Sequence, residues 1–220
     1  MNRRNLIQKI LFSAAAIAAL PATASANLSA QKCLKSQTPV QTSGPFYPIT
    51  DQADTDADLT QVIGSSQNAI GEIVIIHGCL TDQNCNPVNG ALVEIWQACS
   101  SGKYNHPSDP NTAPLDPDFQ YWGKSVTDIN GLYKFKTIKP GSYPANDDWI
   151  RPPHVHFKVS ALGYVELITQ MYFLGDSLND KDLILQRLKK MDQKKVIVEF
   201  KKTAELPYEA GVFNIQMEKI

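Results

Sequence analysis

The sequence predicts a mainly β protein, an antiparallel β-sandwich with few short helices. Three observations predict it. Short runs rich in β-branched and aromatic residues recur along the chain, turn residues separate them at short intervals, and only Asp180–Met191 has apolar residues at helical spacing.

The elements follow in order. The N-terminus, MNRRNLIQKILFSAAAIAALPATASANLS, has a basic start (Arg3, Arg4, Lys9), an apolar run from Ile10 to Leu20 and the small-x-small site Ala24-Ser25-Ala26. That order is expected of a secretory signal peptide over residues 1–26, and the apolar run is too short to span a bilayer. Arg3-Arg4 loosely fits a twin-arginine export signal. Residues 27–70 are polar with little periodicity and are expected to form an extended N-terminal arm. From residue 71 to 220 the pattern becomes that of one folded domain. EIVIIHGCL and ALVEIWQA read as buried strands around a PVNG turn. GKSVTDINGLYKFKTI reads as a hairpin around Asp128–Gly131. HVHFKVSALG, ELITQMYFLG, KVIVEFKK and GVFNIQME continue the series. Leu183, Leu185 and Leu188 mark the one expected helix.

Composition narrows the function. Cleavage after Ala26 removes three of the 21 basic residues and none of the 22 acidic ones, leaving 194 residues with a net charge of −4. A general nucleic-acid binder would carry a basic surplus, so no nucleic-acid partner is expected. No membrane partner is expected either, because no later segment is apolar for long enough. An exported chain meets an oxidising compartment, and four cysteines are present: Cys33, Cys79, Cys85 and Cys99. Three pairings are formally possible. Cys79 and Cys85 flank a turn and are expected to bridge, with Cys33 and Cys99 as the remaining pair.

The chemistry concentrates in RPPHVHF, Arg151–Phe157. On a strand, positions two apart face the same side, so His154 and His156 project together while Val155 and Phe157 face the other way. Two imidazoles on one face either begin a metal site or are two hydrogen-bonded strand residues. No third His, Cys or carboxylate stands at the spacing of a zinc site. The phenols are better placed: Tyr104 follows a strand in GKYNH, and Tyr143 lies in the turn GSYP shortly before the histidines.

TSGPFYP, PVNGALVEIWQACSSGKYNH, TDINGLYKFKTIKPGSYP, RPPHVHFKV and TQMYFLGD occur in this order across about residues 40–180. Together they resemble the intradiol ring-cleavage dioxygenases, particularly the protocatechuate 3,4-dioxygenase type. The resemblance implies a β-sandwich and one ferric ion per chain, Fe(III), held by Tyr104, Tyr143, His154 and His156. It also implies Arg151 as the active-site arginine, Gln170 of TQMYF as the pocket glutamine, and Tyr143 as the ligand that gives way to substrate. The substrates implied are a catechol and dioxygen, and homo-oligomers are common in such a family. Where that family often has a tryptophan after GSYP, Ala145 stands here, so the pocket wall differs. The alternative function is a secreted β-sandwich binding module that keeps the scaffold without catalysis.

Overall fold

A computed structural model describes Cys33 and residues 36–52, 54–204 and 206–220. The expected signal peptide and the first residues of the arm lie outside the described residues. Among the described residues no helix is long and apolar enough to cross a membrane.

Two five-stranded sheets carry the fold. In the first, β1 (Ile73–Thr81) pairs antiparallel with β4 (Leu132–Ile138) and parallel with the short strands β11 (Glu209–Val212) and β12 (Ile215–Gln216). Strand β10 (Phe200–Lys201) joins β11. In the second, the order is β3 (Trp122–Val126), β2 (Leu92–Trp96), β7 (His154–Ser160), β8 (Leu167–Phe173) and β9 (Ile197–Val198). The long pairings here are antiparallel, and only β8–β9 is parallel. A separate hairpin joins β5 (Tyr143–Asn146) to β6 (Trp149–Arg151).

The apolar core lies between the two sheets. Ile76, Leu80, Phe135 and Ile138 of the first sheet meet Val93, Ile95, Val155, Phe157, Val159 and Met171 of the second. Strand alternation explains the choice of face: Val155, Phe157 and Val159 point inward, so His154 and His156 point outward. A second aromatic cluster on that outer face contains Trp96, Tyr104, Trp122 and Tyr143, with Phe46 and Tyr47 against it.

Several sequence expectations are corrected. The Asp128–Gly131 turn forms, with Asp128 Oδ1 accepting the Asn130 and Leu132 amides, but it does not close a hairpin. Strand β3 pairs with β2 and β4 with β1, so this turn carries the chain from one sheet to the other. Asp180–Met191 is not one helix. It holds 3-10 turns at Asn179–Lys181 and Leu185–Arg187, and the α-helix α1 starts only at Lys190 and runs to Val196. The run breaks at Asp182, whose backbone is extended.

The cysteine pairing also differs. The disulfide joins Cys33 to Cys85, while Cys79 and Cys99 are free and buried. Cys79 lies on the face of β1 opposite Ile76 and Leu80, buried against the Asn130 turn, where its thiol donates to the Asn130 carbonyl. Cys85 sits on the exposed turn in a left-handed conformation and meets Cys33. Cys99 lies against Ser101 and Pro114, with no cysteine beside it.

Candidate metal centre and active site

Sheet register assembles half of the site. Trp96 of β2 lies opposite His156 of β7, which lies opposite Gln170 of β8. One step along, His154 pairs with Tyr172. All five side chains share the outer face by the two-residue period. The hairpin supplies two more residues, because Tyr143 and Arg151 are register partners across it.

Tyr104 arrives on the loop after β2, and two glycines bring that loop to the Tyr143 turn. The amides of Gly102 and Gly141 both donate to the Cys99 carbonyl. A Cβ on Gly102 would collide with the Ser142 carbonyl, and one on Gly141 with the Ser100 carbonyl. The close approach of two backbones is therefore the reason for both glycines.

The predicted residues Tyr104, Tyr143, His154, His156, Arg151 and Gln170 all converge and are all buried. The Tyr104 hydroxyl is 3.3 Å from His154 Nε2. Ring centroids are 5.5 Å apart for Tyr104 and Tyr143, 5.7 Å for Tyr143 and His154, and 4.9 Å for the two histidines. His154 Nδ1 must donate to the Pro152 carbonyl, 2.7 Å away, because a carbonyl only accepts. Its Nε2 therefore carries the lone pair, which faces Tyr104 and Arg151 Nη1 (2.9 Å). His156 stacks on Trp96 at 4.8 Å, and its Nδ1 is buried without a hydrogen-bond partner.

Electrostatics separate the groups. Burial first, then the Arg151 guanidinium, pushes both imidazoles well below their ordinary range, so they are neutral. Burial, then the neighbouring Tyr143, pushes the Tyr104 phenol well above its usual range. The Tyr143 phenol is also raised by burial, with Arg151 pulling in the opposite direction.

These donors fit a highly charged cation. Neutral imidazoles offer nitrogen lone pairs. Two buried phenols ionise at low cost only against concentrated positive charge, and a trivalent ion supplies it. Among the described residues no group of three His, Cys, Asp or Glu side chains could hold a metal ion, so such a centre depends on the tyrosines.

Several partners were not legible in the sequence. Arg151 Nε donates to Asp182 Oδ2 at 2.9 Å, and its Nη2 donates to Gln170 Oε1 at 2.8 Å and to Tyr172 Oη at 3.3 Å. Gln41 of the arm accepts from the Gln170 amide and donates to Tyr172 Oη. The Gln170 carboxamide donates to the Thr42 carbonyl. Phe46 packs on Tyr104 at 4.8 Å. A cavity of about 280 Å³ flanks the site between residues 46–52 and 104–107, with Tyr104 and Trp96 in its wall.

The sequence profile of a family described as "Dioxygenase" matches residues 42–218. The protocatechuate 3,4-dioxygenase beta chain of Burkholderia cepacia is 41% identical over 146 residues, covering 64% of this chain and 62% of that protein. The chain belongs to the intradiol dioxygenase family. A catechol 1,2-dioxygenase of Candida albicans is 34% identical over 139 residues, 54% of this chain and 45% of that one. The chain thus matches less than two thirds of the length of these curated relatives. Among solved structures, the intradiol ring-cleavage dioxygenase of Tetranychus urticae superposes with a TM-score of 0.60 at 27% identity, covering 83% of this chain and 95% of that one. That family place agrees with the β-sandwich.

Proposed function

We propose that the chain is a ferric non-haem iron dioxygenase that cleaves a catechol-type ring between its two hydroxyls. The observation that carries this reading is the convergence of two buried phenols and two neutral imidazoles beside a buried guanidinium. Tyr104, Tyr143, His154 and His156 would hold the ion. When bound, the ion would draw electron density from the ring and let both atoms of one dioxygen enter the product. Catechol plus dioxygen balances as cis,cis-muconic acid with no external reductant.

The chain's own residues have distinct work. Tyr143 Oη would take the proton of an incoming catechol hydroxyl, since it is the phenol whose ionisation Arg151 favours most directly. Arg151 would face negative charge developing on the ring, a fixed cation in a water-poor site. Gln170, held by Thr42 and Arg151, would orient the substrate. Phe46 and Trp96 close the face around Tyr104 and His156.

Export belongs to the same reading: the N-terminal pattern is that of a signal peptide, whose cleavage after Ala26 would leave the mature chain in the periplasm or outside the cell. The test is metal analysis with oxygen uptake on a panel of catechols. About one iron per chain and one dioxygen consumed per ring are expected. Protein holding ferric iron that consumes no oxygen with any catechol would reject catalysis and favour the binding module.

A further inference from the structure

Asp182 is fully buried and stands 31 residues beyond the arginine it binds. Its Oδ2 accepts from Arg151 Nε at 2.9 Å, and its Oδ1 from Arg151 Nη2 at 3.4 Å. Oδ1 also accepts the Ile184 and Leu185 amides, at 3.1 and 2.7 Å. The carboxylate thus grips one edge of the guanidinium and leaves Nη1 projecting towards His154. The other side-chain partners of Arg151 are Tyr143, His154, Gln170 and Tyr172, none of them a carboxylate. Among the described residues, Asp182 is the carboxylate ion-paired with this cation. A buried charge with one partner is held strongly in place, because leaving the partner costs desolvation. The chain gives up a helical turn here, since the Leu-spaced run breaks at Asp182. Such local departures from sequence pattern concentrate at functional sites.

We propose that Asp182 is a positioning residue for ring cleavage: it fixes the plane of the Arg151 guanidinium so that Nη1 faces the substrate side. The kinetic part of this inference rests on the proposed dioxygenase activity, and the ion-pair part does not. Three variants of the protein as purified test it: Asp182→Asn, Arg151→Ala and the double variant. Asp182→Asn is expected to keep its iron and visible colour and to lower kcat by about 10- to 100-fold, with KM changed less than about threefold, as for misplacement of one preorganised group. Added to Arg151→Ala, it should cost less than about twofold more, because both changes remove one unit.

The second readout needs no turnover. Millimolar guanidinium should raise the melting temperature of Arg151→Ala and leave the double variant unmoved, because the carboxylate is what binds it. Additive kinetic losses, or equal guanidinium shifts in both proteins, would overturn the proposal. Should wild type cleave no catechol, the dioxygenase reading and the kinetic part fail together, while the guanidinium shift still decides the ion pair. Should Asp182→Asn not fold, the double variant, freed of the unpaired cation, is expected to fold. If it does not, although Arg151→Ala does, Asp182 serves only the Ile184 and Leu185 amides and the proposal is wrong.

Discussion

The Tyr104 phenol is fully enclosed, and burial holds its proton far more tightly than in water. Ionising it therefore depends on a cation within reach, and the visible absorption of a phenolate–ferric pair depends on that ionised oxygen. Tyr104→Phe should lose much of the visible band and hold less than one iron per chain, read by absorption and metal analysis; an unchanged band would remove Tyr104 from the ligand set. Arg151 is different, because a guanidinium cannot ligate a cation. Arg151→Ala should keep iron and colour yet lower turnover by about 100-fold or more, the cost of one preorganised electrostatic partner. Near-normal turnover would reduce Arg151 to packing beneath the hairpin. His154 and His156 were legible as a pair because strand period alone sets their common face. Asp182, Tyr172 and Gln41 were not, because their contacts join segments up to 131 residues apart and no local pattern marks them.

At the level of elements, the strands were visible in the sequence and their partners were not. Local patterning gives β3, the Asp128–Gly131 turn and β4, but the choice between a hairpin and a sheet-to-sheet crossing depends on which neighbours bury each face. The same limit explains the cysteines. Proximity along the chain favoured Cys79 with Cys85, whereas Cys79 is buried against the Asn130 turn, its thiol on that carbonyl, and the exposed turn carrying Cys85 meets Cys33. That bridge spans 52 residues and tethers the arm just ahead of Gln41, Thr42 and Phe46. Replacing Cys33 by Ser should destabilise the fold by up to about 4 kcal/mol on loop-closure grounds, measured by denaturant unfolding. An unmoved midpoint would show that arm hydrogen bonds alone hold the segment. The Tyr104 loop and the Tyr143 turn depend on glycine contact instead. Gly141→Ala would press a methyl into the Ser100 carbonyl. It should cost about 1–3 kcal/mol and lower iron content, as the two phenols part. Unfolding together with metal analysis checks both, and full iron occupancy would show that the loops absorb the methyl.

Across the whole molecule, the two sheets spend their inner faces on an apolar core, so the site is built on an outer face and roofed by the arm and two loops. That roof makes the donors dry, and dryness decides which ligand set can work. A ferrous site with two histidines and one carboxylate carries a single protein anion, and it reduces dioxygen first, which leads to cleavage beside the hydroxyls. Here the buried donors are two phenols with two imidazoles, and no His–carboxylate group able to hold a metal is found among the described residues. On the proposed reading, two phenolates would stabilise the ferric state, so that the ring, and not dioxygen, would be the partner activated. Given catechol or 3,4-dihydroxybenzoate, the protein should yield a colourless muconate-type diacid cut between the hydroxyls, with both atoms of labelled dioxygen retained in the product. Mass spectrometry of the product from isotopically labelled dioxygen reads both points. A yellow semialdehyde would mean cleavage beside the hydroxyls, and the assignment of Tyr104 and Tyr143 as iron ligands would fall with it.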